Sequence, residues 1–255
     1  MCIATIAYGT SRRFPLIFAA NRDELHSRPT AAASWWSDEP AVLGGRDLVA
    51  GGSWLAMNRA GRLAAVTNLP APSATVAARS RGALVREFLT GDQPAELFFR
   101  ELAGRASEYA PFNLLGFDGE RLYYFGSGAA HARDLGAGVH ALSNAPYGAS
   151  WPKLAAAREG MLETLGMENP APALLSLLAQ GADERPPADS ADAPWRQSRL
   201  FIRDRTHGTR SSTVIAVTEQ GRVRFMERGF DADGRLSSAR EHEFALEPPR
   251  LRAGA

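Results

Sequence analysis

The chain has 255 residues, a net charge of +1, 45% hydrophobic and 22% charged residues, which is the balance of an ordinary globular protein. Near-neutral charge gives no reason to expect nucleic acid or an anionic membrane as partner. A single cysteine, Cys2, excludes an internal disulfide framework and a multi-cysteine metal site, and the five histidines lack zinc-type spacing. Lys153 is the only lysine, and the near-total use of arginine reads as codon usage. No basic segment precedes the apolar run Ile3–Tyr8, and no stretch approaches the length that spans a bilayer. The expectation is a cytoplasmic protein with one domain over residues 1–247 and a disordered tail over 248–255.

In chain order, Cys2–Tyr8 and Phe14–Ala20 read as a hairpin. Asn21–Arg28 then breaks the apolar pattern with a polar cluster. The glycine-rich Leu43–Gly52 reads as a loop, and Ser53–Asn58 and Arg62–Thr67 as strands joined at Gly61. Arg81–Thr90 and Pro94–Tyr109 carry apolar residues at helical spacing. Phe112–Phe117 and Arg121–Phe125 flank Asp118-Gly119, a tight-turn signal. Gly138–Ser143 is a strand, and Trp151–Leu165 and Ala171–Gln180 are helical. Gly181–Pro194 reads as a loop and Arg199–Asp204 as a short edge element. Ser212–Thr218 and Arg222–Arg228 form a last hairpin. Strands early, in the middle and late, with helices not alternating one-to-one, argue for two packed antiparallel sheets with helices outside.

The chemistry centres on position two. Removal of Met1 is expected when the next side chain is small, and it would leave a thiol and an α-amine on one residue. Such amines ordinarily titrate near about 7.7–8.0 and thiols near about 8.5, so one residue could supply both nucleophile and base for acyl transfer. The plain alternative is a small residue opening a strand. Polar residues recur at strand ends: Asn21-Arg22-Asp23-Glu24, Asn68, Asn144 and Gly208–Ser212. Acyl transfer also needs donors for the oxyanion and groups that orient the amine. Asn68 and Asn144 could be neutral donors. Asp23 could hold the α-amine. Arg22 could steady the thiolate or bind a substrate carboxylate, and Arg210 is a second anion-binding candidate. Asn21, Trp36 and Trp54 are candidate substrate contacts, although core packing equally accounts for the tryptophans. His26 reads as structural, and no metal site is expected.

Met1-Cys2, Asn21-Arg22-Asp23-Glu24 with Arg28-Pro29, Gly51-Gly52-Ser53-Trp54-Leu55, Thr67-Asn68, Ser80-Arg81-Gly82, Leu142-Ser143-Asn144 and Gly208–Thr213 together resemble the NRDE family, also called the transport and Golgi organisation protein 2 family, over roughly residues 1–230. More distantly, Cys2, Asn58…Asn68-Leu69-Pro70 and Leu142-Ser143-Asn144-Ala145-Pro146 are similar to the cysteine N-terminal nucleophile hydrolases that include bile salt hydrolase and penicillin V acylase. That resemblance implies an α+β fold, a four-layer αββα sandwich of two antiparallel sheets. It also implies Cys2 as nucleophile, Asn68 as oxyanion donor and Asn144 as a second active-site asparagine. Those hydrolases separate their arginine and aspartate by three positions. Here Arg22 and Asp23 are adjacent, so their roles stay open, and Arg199 and Arg210 compete for the late arginine, with Arg210 preferred. The residues and the hydrolase resemblance imply a hydrolase of linear amide C–N bonds working through a Cys2 thioester. The NRDE resemblance, to a family linked to haem trafficking and to lipid or acyl-coenzyme A metabolism, implies instead a non-catalytic carrier of haem, acyl-coenzyme A or lipid in the same cleft. Neither requires a cofactor; haem would be cargo.

Overall fold

The computed structural model describes residues 2–71, 77–184 and 193–247. The strands are β1 (Ile3–Tyr8), β2 (Leu16–Leu25), β3 (Thr30–Trp35), β4 (Val42–Asp47), β5 (Leu55–Asn58), β6 (Leu63–Asn68), β7 (Phe112–Phe117), β8 (Leu122–Gly126), β9 (Arg133–Asp134), β10 (Gly138–Ser143), β11 (His207–Val217), β12 (Arg222–Phe230) and β13 (Leu236–Ala245). The α-helices are α1 (Arg81–Thr90), α2 (Ala95–Arg105), α3 (Pro152–Thr164), α4 (Ala171–Leu178) and α5 (Ala193–Ser198). They build a six-stranded sheet in the order β10-β1-β2-β11-β12-β13 and a seven-stranded sheet running β3 to β9. Every strand pair is antiparallel.

Side chains alternate across a strand, so each sheet has two faces to bury. Ile6, Phe18, Ile215 and Phe225 of the six-stranded sheet meet Leu43, Met57, Leu115 and Tyr124 of the other, forming the core between the sheets. The outer face of the seven-stranded sheet packs Ala64, Phe112 and Phe125 against Leu84, Phe88, Phe98 and Phe99 of α1 and α2. The outer face of the six-stranded sheet packs Ile3, Ile17 and Val214 against Leu154, Met161, Leu174 and Leu178 of α3 and α4. The result is the αββα four-layer sandwich expected from the sequence. Each fully buried Phe, Leu or Ile contributes about 1.5–3 kcal/mol.

Three local expectations are corrected. Leu43–Gly52 is not all loop, because β4 occupies Val42–Asp47. Its glycines allow close approach to the next strand: a Cβ on Gly44 would lie 2.6 Å from both Ala56 Cβ and the Leu55 carbonyl oxygen. The polar cluster at Asn21 does not end β2, which runs on to Leu25. Its polar side chains find partners there, so the strand need not stop. Arg199–Asp204 forms no strand; only an isolated bridge joins Arg203 to Gly208. Part of the Gly181–Pro194 segment and the tail 248–255 lie outside the described residues. Among the described residues no helix is long and apolar enough to cross a membrane.

Candidate functional site

Cys2 precedes β1, the strand between β2 and β10. Ile3 pairs with Asn21 on one side and Ser143 on the other. One residue further along those registers, Cys2 stands between Arg22 and Asn144. The Cys2 N–H donates to Asn144 Oδ1, and the Cys2 carbonyl accepts from Ser143 Oγ at 2.5 Å. The thiol lies 3.9 Å from the Asp23 carbonyl oxygen and Cys2 is half-buried.

Asn144 uses both ends of its amide. Its Oδ1 holds the Cys2 nitrogen and its Nδ2 donates to the Asn68 carbonyl at 2.6 Å. Asn68 itself is exposed at the end of β6. What it offers Asn144 is therefore its main chain, where the sequence suggested its side-chain amide. The segment carrying Asn144 is pinned by Asn113 of β7, which is fully buried. Asn113 Nδ2 donates to the Ser143 and Ala145 carbonyls, both at 2.9 Å, and its Oδ1 accepts from Tyr124 at 2.7 Å. Thr67 Oγ1 adds a 2.8 Å bond to the Ser143 carbonyl. Buried amides and hydroxyls matched in this way fix a geometry, because loosening any one strands a buried polar group.

Arg22 and Asp23 are neighbours in sequence and so face opposite sides of β2. Arg22 faces the other sheet: its Cζ sits 4.2 Å from the centre of the Trp54 ring, its Nη1 donates to Thr30 Oγ1 at 3.2 Å, and its Nη2 lies 3.7 Å from Glu24. Burial is the largest influence on its guanidinium and works against the charge; Glu24, Cys2 and Asp47 work for it. Asp23 shares its face with Asn21 and accepts from Thr209 Oγ1 at 2.7 Å. Burial pushes its carboxyl up from the ordinary range, and the chain's amino terminus, then Lys153 and Thr209, oppose that rise.

The other expected site residues divide. Trp54 joins the centre through Arg22. Trp36 does not: it is 3% exposed in the core beneath α1, its Nε1 donating to the Gly44 carbonyl. Asn21 is spent on structure, donating to the Leu178 and Leu200 carbonyls and accepting from Ser212. Arg210 donates to the Leu25, His26 and Arg28 carbonyls, and its charge reaches Arg22. Arg199 instead pairs with Glu184. Among the described residues no group of His, Cys, Asp or Glu could hold a metal ion.

Sequence reasoning missed Asn113, Arg81, Lys153 and Glu227. Arg81 opens α1 and is electrostatically coupled to Glu24 and Cys2; the Ser80-Arg81-Gly82 motif was its signal. Glu227 is buried and accepts from the Ala33 N–H at 2.7 Å, joining β12 to β3 across the sandwich. Nothing in an alternating strand sequence marked it. A cavity of about 660 Å³ lies between β10 and α3, lined by His140, Tyr147, Trp151 and Arg158 among others; Cys2 is not part of its wall.

The model of the family described as Transport and Golgi organisation 2 matches residues 1–232. A Transport and Golgi organization protein 2 homolog from Bos taurus is 34% identical over 97% of this chain and 100% of its own length. Among solved structures, an N-acylethanolamine-hydrolyzing acid amidase ortholog of Caenorhabditis elegans is similar at a TM-score of 0.45 and 14% identity, over 86% of this chain and 93% of that one. The C2A mutant of conjugated bile acid hydrolase from Clostridium perfringens is similar at a TM-score of 0.45 and 11% identity, over the whole of both chains.

Proposed function

The chain belongs to the transport and Golgi organisation 2 family, and from that premise we propose that Cys2, freed of Met1, is the nucleophile of a hydrolase acting on linear amides. One observation carries the reading: the nitrogen of half-buried Cys2 is held by Asn144 Oδ1 while its thiol lies 3.9 Å from the Asp23 carbonyl oxygen. With Met1 present that nitrogen is a peptide N–H. With Met1 gone it is an amine that keeps the same acceptor and gains a lone pair.

In this mechanism the Cys2 thiol gives its proton to the α-amine, and the thiolate adds to the amide carbon. The oxyanion accepts hydrogen bonds from the second N–H of Asn144 Nδ2, whose first is held by the Asn68 carbonyl, and from the exposed side-chain amide of Asn68. The C–N bond breaks as the α-ammonium returns the proton to the leaving nitrogen, leaving a thioester on Cys2. Water, deprotonated by the same amine, adds to the thioester, and collapse releases the acid and restores the thiol. Each oxyanion donor is worth about 10²–10³ in rate. Arg22 keeps its charge although buried, and supports the thiolate.

The test is amine release from a panel of N-acyl amides. Cys2→Ala should abolish turnover while the fold survives, and full activity in that variant contradicts the mechanism.

A second reading has its own support. Arg22 and Arg210 feel each other's charge, as do Arg81 and Arg28, and Trp54 lies against Arg22. Clustered cations beside an aromatic face suit an anion with a large apolar body, so a carrier of haem, acyl-coenzyme A or lipid uses the same residues. Titration of Cys2→Ala with haem distinguishes the two: a Soret shift supports the carrier, and no spectral change at micromolar haem opposes it.

A further inference from the structure

Lys153 is the chain's only lysine. It occupies the first turn of α3, after Pro152, with 0% exposure. Its Nζ has no hydrogen-bond partner among the described residues. An ammonium there faces three penalties. It is removed from water without compensating hydrogen bonds. It sits at the positive end of a helix. The guanidinium of Arg196 on α5 repels it. Burial accordingly pushes its pKa down. For filling space, a methionine of similar length would be the better side chain.

What favours the charge is specific. Asp23 and Cys2 are the groups whose charges favour the protonated form of Lys153, against the larger effect of burial. Lys153 in turn favours the ionised form of Asp23, second to the chain's amino terminus and against the larger pull of burial. The sheet explains the meeting. Asn21 and Asp23 share one face of β2, and Asn21 there donates to Leu178 of α4; that face looks toward the helices, and α3 packs on β1 and β10. The Trp151 ring lies 5.6 Å from Nζ. Other titratable groups on the elements around Lys153 are engaged elsewhere: Tyr8 of β1 with the Glu120 carbonyl, and His140 of β10 with Tyr147. Helix α4 carries none.

We propose that Lys153 is a positioning residue of the Cys2 centre: its buried ammonium keeps Asp23 a carboxylate on the helix side of β2 and sets a positive charge behind the Cys2 thiol. The inference rests on the reading of Cys2 as the reacting group.

One lysine and one cysteine allow a direct test in the full chain. Lysine-selective ¹³C,¹⁵N labelling gives a single side-chain signal, whose pH titration is followed in wild type, in Asp23→Asn and after alkylation of Cys2 with iodoacetamide. The expected result is a wild-type transition below the ordinary lysine range that moves to still lower pH in Asp23→Asn, which lacks the carboxylate, and after alkylation, which removes the ionisable sulfur. A transition in the ordinary range, or one that neither change moves, overturns the proposal. In parallel, Lys153→Met should slow iodoacetamide capture of Cys2 at neutral pH several-fold with the circular dichroism spectrum retained. An unchanged rate in a folded Lys153→Met variant also overturns it. The wild-type titration decides if that variant does not fold. Coupling of Lys153 to Asp23 and Cys2 without any amide turnover supports this proposal and removes the hydrolase reading. Cys2-dependent turnover with an uncoupled Lys153 does the reverse.

Discussion

Gly52 and Gly82 meet backbone to backbone. A Cβ on Gly52 would lie 2.4 Å from the Gly82 carbonyl carbon, and the Ser53 N–H donates to that carbonyl at 3.2 Å. This contact joins two motifs that stand far apart in sequence. It sets the segment leading to Trp54 against the first turn of α1, so that Trp54 and Arg81 are both brought to the Cys2 centre. Gly52→Ala should therefore cost about 1–3 kcal/mol, in the range of other overpacking changes. Urea unfolding measures it. The same variant should lose activity beyond its loss of stability, because Trp54 and Arg81 shift together.

Asn113 sits beneath the centre without touching Cys2. Asn113→Ala removes the donor to the Ser143 and Ala145 carbonyls and the acceptor of Tyr124. Stranding these groups should destabilise the fold by about 2–3 kcal/mol. On the hydrolase reading, turnover should fall in kcat more than in KM, since Asn144 is displaced while Arg22, held by Trp54 and Thr30, is not. Equal stability in variant and wild type by chemical denaturation would contradict this account of the turn at Asn144.

Trp54 gives Arg22 a face to lie on, 4.2 Å from the ring centre. A cation over a tryptophan ring away from bulk water contributes about 0.5–2 kcal/mol. Trp54→Leu should weaken binding of an anionic substrate or cargo by up to about tenfold, visible as a raised KM or Kd. Trp36→Leu should lower stability and leave affinity unchanged, because Trp36 belongs to the core under α1.

His207 should make the protein acid-sensitive. Burial is the main cause of its fall from 6.5 to about 3, with the chain's amino terminus and then Arg196 adding repulsion. The folded state therefore binds fewer protons than the unfolded chain between those limits. Its contribution to stability is complete above about pH 6.5 and is lost as pH falls toward 3. Urea midpoints recorded from pH 7 to pH 4 should drop in wild type, and the drop should be shallower in His207→Gln. Parallel profiles would show that His207 is not the group responsible.

Much of the architecture was legible because apolar residues follow the period of the element that buries them. The limits of α1 match the expected helix, and the Asp118-Gly119 hairpin forms between β7 and β8. Strand β4 was hidden by Gly44 and Gly45. Their small size is demanded by neighbours, Ala56 for the first and the Trp54 ring, 2.3 Å from a Cβ, for the second, yet glycine reads locally as loop. Strand β13 was hidden because it is an exposed edge whose sequence is largely polar. At the site, Cys2 was singled out by its place after Met1 and Asn144 by its place at the end of a strand. Lys153 was not, since a lysine in an amphipathic helix reads as a solvated residue. Only the tertiary fold brings its charge within reach of Asp23 and Cys2. The opposite orientations of Arg22 and Asp23 needed the strand to continue through a charged cluster that looked like a break.

Intact mass spectrometry of the purified protein bears most directly on the Cys2 reading. The account requires a mass lacking Met1, so that the nitrogen held by Asn144 Oδ1 is a free amine. A preparation that hydrolyses amides while every molecule keeps Met1 would contradict it.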